Sequence, residues 1–176
     1  MKARHLGAVV IAFGLVSWSA FLVWARAPET DAEKQARIAQ MYDGFRGLFE
    51  GVPEVRVDEL DDLKAKHPDL VLVDVRSPEE RQVSMLPGAI TKEAFEADPA
   101  AYADRPVVAY CTIGYRSGQW AKAERAKGVD ARNLVGSVLS WTHAGLPLEH
   151  DGHTTKRVHV YGSTWNLAHS GYEPVW

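Results

Sequence analysis

A single thiol stands where a strand hands over to a helix. Cys111 is the only cysteine among the 176 residues, and it opens the run Cys111-Thr112-Ile113-Gly114-Tyr115-Arg116-Ser117. With one cysteine the chain can form no internal disulfide and no zinc site built on several thiolates. The thiol is therefore either a small buried hydrophobe or the chemistry itself. Its setting points to chemistry. The apolar run Val107 to Tyr110 precedes it and a helical stretch begins near Ser117. The carboxyl end of a strand facing the next helix is where open α/β sheets bind ligands. Unpaired N–H groups and the helix dipole there favour an anion, lower a thiol pKa and make the thiolate the resident species. Gly114 lets the loop curl so that successive N–H groups point inward as an anion nest. Arg116 adds a permanent cation. Together these would make Cys111 an activated nucleophile.

The elements that must position this loop alternate between strand and helix. Val55 to Val57 reads as a short strand, and Asp58 caps a helix to about Lys66 with Leu60 and Leu63 inward. Leu70 to Val75 is a continuous apolar run, as in a parallel strand buried on both faces. Ser77-Pro78-Glu79-Glu80 is a helix start, with a capping serine, proline at the first position and acids in the first turn. Pro87-Gly88-Ala89-Ile90 predicts a turn into a short strand, and residues 92–103 a weak helix. Val107 to Tyr110 is a second buried strand. A helix from Ser117 to Lys127 stops at Gly128. Leu134-Val135 ends a further strand, and Ser137 to His143 makes a short last helix. This order predicts an α/β fold with a parallel sheet and helices on both faces.

Four segments resemble the rhodanese family of sulfurtransferases. Cys111 to Arg116 is similar to the family's six-residue active loop, Cys-x-x-Gly-x-Arg. Val73-Asp74-Val75-Arg76, followed by Glu79 and Glu80, resembles its Asp-Val-Arg segment. Leu86-Pro87-Gly88-Ala89-Ile90 resembles the segment usually written Gly-His-Ile-Pro-Gly-Ala. Asn133-Leu134-Val135-Gly136-Ser137, with Trp141, resembles the closing Asn-Leu-x-Gly-Gly-x-x-x-Trp pattern. The resemblance covers about residues 55–148. Two departures stand out: Ser84-Met85 where the family has Gly-His, which removes a polar group near the site, and Ser137 in place of the second glycine. The resemblance implies a rhodanese-like fold and a two-step transfer without a cofactor. Cys111 takes sulfane sulfur from a donor such as thiosulfate as a persulfide, and a thiol or cyanide then removes it. It implies that the loop Thr112, Ile113, Gly114, Tyr115 and Arg116 binds the substrate, with Asp74, Arg76 and Ser117 supporting the loop. Arg116 either meets the donor's sulfonate or turns inward to Asp74, Glu79 or Glu80. Tyr115 either shapes the mouth of the site or is a plain surface ring.

Two other classes compete. Cysteine phosphatases and arsenate reductases use a similar cradle, but their loops resemble Cys-x5-Arg, one residue longer than the spacing here. A non-catalytic rhodanese-like binding module or sulfur carrier is the other, though such modules commonly lack the cysteine. No metal site is predicted, although His143, His150, His153, His159 and His169 crowd the C-terminal part and His150-Asp151-Gly152-His153 has a tempting spacing.

Residues Leu6 to Ala25 carry no charge over twenty positions, enough at about 1.5 Å per residue to span a hydrocarbon layer of about 30 Å. Lys2 and Arg4 precede this segment, and Trp24 sits where an interfacial ring belongs. Ala25-Arg26-Ala27 has the form of a signal cleavage site, but Pro28 suits a first mature residue poorly and the run is long for a signal peptide. The expectation is an uncleaved single-pass membrane anchor over residues 1–27, with the domain on the extracytoplasmic side. An amphipathic linker helix follows over 28–52, with Ile38, Met41, Tyr42, Phe45, Leu48 and Phe49 in one stripe. The rhodanese-like domain is assigned to 53–148. A C-terminal extension, 149–176, is expected to fold back on it through Trp141, Tyr161, Trp165, Tyr172 and Trp176. A net charge of −3, from 20 basic and 23 acidic residues, gives no basic excess of the kind a nucleic-acid binder shows. The expected partners are therefore the membrane through residues 6–25, a small sulfur donor and a thiol acceptor.

Overall fold

The computed structural model describes residues 29–176. The expected span at 6–25 and its cleavage site lie outside the described residues. Among the described residues, no helix is long and apolar enough to cross a membrane.

The first helix, α1 (Asp31–Phe45), starts at a reciprocal capping box. The Thr30 hydroxyl accepts from Glu33 N–H, while the Glu33 carboxylate accepts from Thr30 N–H. A 3-10 turn, Arg46–Phe49, continues it. Tightening to three residues per turn breaks the predicted stripe: Ile38, Tyr42 and Phe49 are buried, but Leu48 is left 57% exposed.

Next come β1 (Glu54–Val55), α2 (Leu60–Lys66), β2 (Val71–Asp74), α3 (Pro78–Val83), β3 (Ile90–Thr91) and α4 (Lys92–Ala97). Then follow β4 (Val107–Tyr110), α5 (Tyr115–Arg125), β5 (Ala131–Leu134) and α6 (Ser137–His143). The first five strands form one parallel sheet in the order β1-β5-β4-β2-β3. Successive side chains of β2 and β4 point to opposite faces. Leu72, Val108 and Tyr110 join one core with Leu60 of α2 and Val138 and Leu139 of α6. Val71, Val73, Val107 and Ala109 join the other with Phe95 of α4 and Trp120 and Ala121 of α5. Both faces are thus covered by helices, which is why these strands read as unbroken apolar runs.

The chain leaves β2 towards β3 but leaves β4 in the opposite direction, towards β5. The crevice at the carboxyl ends of β2 and β4 is therefore the topological switch point of the sheet. Cys111 follows β4 at that edge.

Beyond α6 lie a hairpin, β6 (Leu148–His150) with β7 (His153–Thr155), and a parallel pair, β8 (Arg157–His159) with β9 (Glu173–Val175). Val158, Val160, Leu167, Ala168 and Tyr172 share the core cluster of Leu72 and Val108. Of the aromatic residues expected to hold this extension, Trp141 and Tyr172 are buried and Trp165 is half-buried, but Tyr161 and Trp176 are each 62% exposed. Aliphatic side chains do most of that packing instead. Ser84 and Met85, which stand where the family has Gly-His, tie the extension down. The Ser84 hydroxyl donates to Arg157 C=O at 2.7 Å, and Met85 and Glu149 exchange backbone hydrogen bonds. Neither lines the cavity over Cys111.

Candidate active site

Gly114 begins the construction of the site. It adopts φ +102°, a left-handed conformation that costs glycine little. A Cβ there would lie 2.6 Å from the Tyr42 ring and 3.3 Å from Leu134 C=O. This glycine, not Ser117, is the residue that starts the helix. α5 begins at Tyr115, two residues before the predicted start, so Arg116 and Ser117 occupy its first turn.

The result wraps around the sulfur. Cys111 is 1% exposed, and its Sγ accepts from Gly114 N–H at 3.1 Å. The Ser117 hydroxyl stands 3.5 Å from the same Sγ and 2.7 Å from Asn133 Oδ1, so one proton serves two acceptors. The Asn133 amide N–H group donates to Tyr42 Oη at 3.0 Å and to Gly114 C=O at 2.9 Å, which fixes Oδ1 towards Ser117. From the other side, α6 holds the loop's carbonyls. Val138 N–H donates to Cys111 C=O and Leu139 N–H to Thr112 C=O, each at 3.2 Å. Ser137, the residue that departs from the family's glycine, sits at φ +49°. Its Oγ accepts from Cys111 N–H at 3.0 Å and donates to Leu134 C=O at 3.1 Å.

Burial alone would push the Cys111 thiol up. The Ser117 hydrogen bonds, the Arg116 cation and Gly114 N–H outweigh it, and the thiol lies below its ordinary value. The thiolate is thus easier to form here than in an unperturbed cysteine.

Arg116 reaches across to Glu80 while staying close enough to Cys111 to favour its thiolate. Its Nη1 and Nη2 meet the two carboxylate oxygens of Glu80 at 2.7 Å each, and Nη2 also donates to Thr112 Oγ1 at 3.1 Å. Thr112 Oγ1 donates to Glu80 at 3.0 Å. Glu80 is supplied by α3, where it also closes the capping box with Ser77. Burial would raise its carboxyl, but Arg116, Ser77 and Thr112 hold it down at about 2. Asp74 and Arg76 form a second, fully buried pair with Nη2 to Oδ2 at 2.6 Å. Arg76 Nη2 also donates to Ser84 C=O at 2.6 Å. Burial opposes charge on Arg76, but Asp74 holds it above its ordinary value. This pair braces the turn into α3 and does not reach the cavity.

A cavity of about 460 Å³ opens over the sulfur. Its floor is Cys111, Thr112, Ile113, Tyr115 and Arg116, all from the loop and the first turn of α5. Its walls come from distant parts of the chain: Phe45 from the end of α1, and Tyr161 and Trp165 from the C-terminal extension. Sequence reasoning assigned Phe45 to a packing stripe and the other two to anchoring. No local signal marks them as part of a site, because only the fold brings them there. The histidines serve elsewhere. His143 Nε2 lies 2.9 Å from Leu167 C=O, and His150 pairs with Asp151 at 3.4 Å. Among the described residues, no group of three or more His, Cys, Asp or Glu side chains is placed to hold a metal ion.

The model of the family described as Rhodanese-like domain matches residues 56–144. A Sulfurtransferase of Allochromatium vinosum is 32% identical over 102 residues, covering 55% of this chain and 94% of that protein. The Thiosulfate:glutathione sulfurtransferase of Saccharomyces cerevisiae is 26% identical over 134 residues, covering 64% and 96%. An HTH-type transcriptional regulator of Mycobacterium tuberculosis is 34% identical over 105 residues, covering 56% of this chain. This chain spans less than half the length of that regulator, 46%.

Proposed function

Because the chain belongs to the rhodanese-like domain family, we propose that it is a sulfurtransferase working through a persulfide on Cys111. The observation that carries this is the sulfur's own setting. A depressed thiol accepts hydrogen bonds from Gly114 N–H and Ser117 Oγ at the floor of a cavity at the switch point. With thiosulfate as donor, the Cys111 thiolate attacks the outer sulfur. A new S–S bond forms, the S–S bond to the sulfonate sulfur breaks, and sulfite leaves with the electron pair. A thiolate or cyanide then attacks the terminal sulfur, and the pair of the broken bond returns to Cys111. This is covalent catalysis with ping-pong kinetics. Gly114 N–H, fixed before reaction, offsets negative charge without reorganisation. The names of the Allochromatium and yeast relatives support sulfur transfer as the reaction class. The Cys-x-x-Gly-x-Arg spacing, one residue shorter than a phosphatase loop, supports sulfur transfer over a phosphatase cradle. The uncharged stretch 6–25 supports anchoring of the domain at a membrane, and the short basic tail before it, Lys2 and Arg4, supports the extracytoplasmic side.

The test is intact mass of the full chain after incubation with thiosulfate, beside Cys111→Ser. A gain of one sulfur atom, reversed by thiol or cyanide and absent in the variant, is expected. No gain with any sulfane donor would sink the proposal and favour a binding module.

A further inference from the structure

The walls of the cavity over Cys111 lie outside the stretch that matches the family. That stretch is 56–144, whereas the walls are Phe45, Tyr161 and Trp165. The loop's Tyr115 meets Phe45 edge-on at 5.4 Å between ring centroids, and Tyr161 meets Trp165 in the same manner at 6.1 Å. Four rings therefore frame the mouth. One charged side chain lines it, Arg116, and that cation is paired with Glu80. The Thr112 hydroxyl is spent on the same carboxylate.

Tyr161 adds an independent sign. It holds φ +72°, a conformation that strains a bulky side chain. Burial does not explain this, because the residue is 62% exposed. The strain sets its ring 5.5 Å from the Arg116 guanidinium carbon, at the rim above the thiol. An exposed aromatic residue kept in a costly conformation over a nucleophile points to a role in ligand binding.

We infer that this aromatic rim selects the sulfur acceptor, favouring an aryl or alkyl thiol over small hydrophilic or anionic acceptors. The inference rests on the sulfurtransferase reading and deepens it. The acceptor's apolar body packs between Phe45, Tyr161 and Trp165 while its thiolate attacks the outer sulfur of the Cys111 persulfide. A new S–S bond forms to the acceptor, the Cys111 S–S bond breaks, and its electron pair stays on Cys111. The proton that the acceptor thiol gives up moves to the outer sulfur, so the products are an organic persulfide and the Cys111 thiolate.

The experiment loads the full chain with saturating thiosulfate, verifies the persulfide by intact mass, and follows its decay with different acceptors. Benzyl mercaptan, 2-mercaptoethanol and cyanide are compared by second-order rate constant. Benzyl mercaptan should exceed 2-mercaptoethanol by several-fold, up to about tenfold, the scale of one well-packed aromatic contact. Tyr161→Gly relieves the backbone strain, so its melting temperature should hold or rise while the benzyl preference falls several-fold. Trp165→Ala should lower that preference too. Equal rates for the two thiols, or a preference untouched by both substitutions, overturns the inference while leaving sulfur transfer standing. Absence of any persulfide on Cys111 overturns both.

Discussion

Both guanidinium nitrogens of Arg116 close on the two carboxylate oxygens of Glu80, at 2.7 Å each, across the switch point between β2 and β4. The cation beside the nucleophile thus belongs first to the scaffold. Glu80→Gln leaves that cation half-buried without its partner. It should cost on the order of 2 kcal/mol in chemical denaturation, below the usual range for a buried pair because the Arg116 side chain is 33% exposed. An unchanged midpoint would show that the pair does not brace the loop.

The same carboxyl sets an acid limit. Glu80 sits at about 2 in the fold, against an ordinary value of 4.5. A depressed carboxyl stabilises the folded state fully above its unfolded pKa and loses that contribution as pH falls towards its folded pKa. The stability gap between the native protein and Glu80→Gln should therefore be full above about pH 5 and shrink as the pH drops towards 2. Denaturation midpoints measured across that window check the sign. A gap that widens on acidification would contradict it.

Ser117→Ala removes the hydroxyl that lowers the Cys111 thiol. The thiol pKa should rise, moving the acid limb of iodoacetamide alkylation to higher pH. At neutral pH the rate should fall by about tenfold, the worth of one hydrogen bond to a charged group. Asn133→Ala should act in the opposite direction, because removing the competing acceptor leaves the Ser117 proton to the sulfur alone.

Two glycines separate clash from strain. A Cβ on Gly118 would stand 2.6 Å from the Phe49 ring, while one on Gly114 would meet Tyr42 and also carry φ +102°. Gly118→Ala should cost about 1–3 kcal/mol and recover most of it in a Phe49→Leu background. Gly114→Ala should cost more and recover less with Tyr42→Leu, because relieving the contact leaves the backbone strain. Thermal melts of the four variants decide it.

What the sequence disclosed was local. Val107–Tyr110 and Ser137–His143 fall where the apolar run and the helix signals put them, and the Ser77 cap forms as its residue types predict. The start of α5 was misjudged because the cap is a left-handed glycine, and glycine's φ leaves no mark in composition. Three inward partners for Arg116 fitted the sequence equally; Glu80, 36 residues away, is chosen by the approach of α3 to α5. Phe45, Tyr161 and Trp165 could not be placed at the cysteine at all. Their periodicity reports that they are apolar, and only the angle of α1 and the path of the extension say what they cover.

That path binds one end of the described chain to the other. Asp31 accepts from both the N–H and the hydroxyl of Ser170, 139 positions away, and Lys34 reaches Ala168 C=O across 134. Contacts so remote in sequence slow folding, and in synthesis they must wait until residues 168–170 have emerged. The cradle of Cys111 uses residues up to Leu139, whereas two of its walls, Tyr161 and Trp165, emerge afterwards. A growing chain therefore carries its nucleophile before the two rings that close over it.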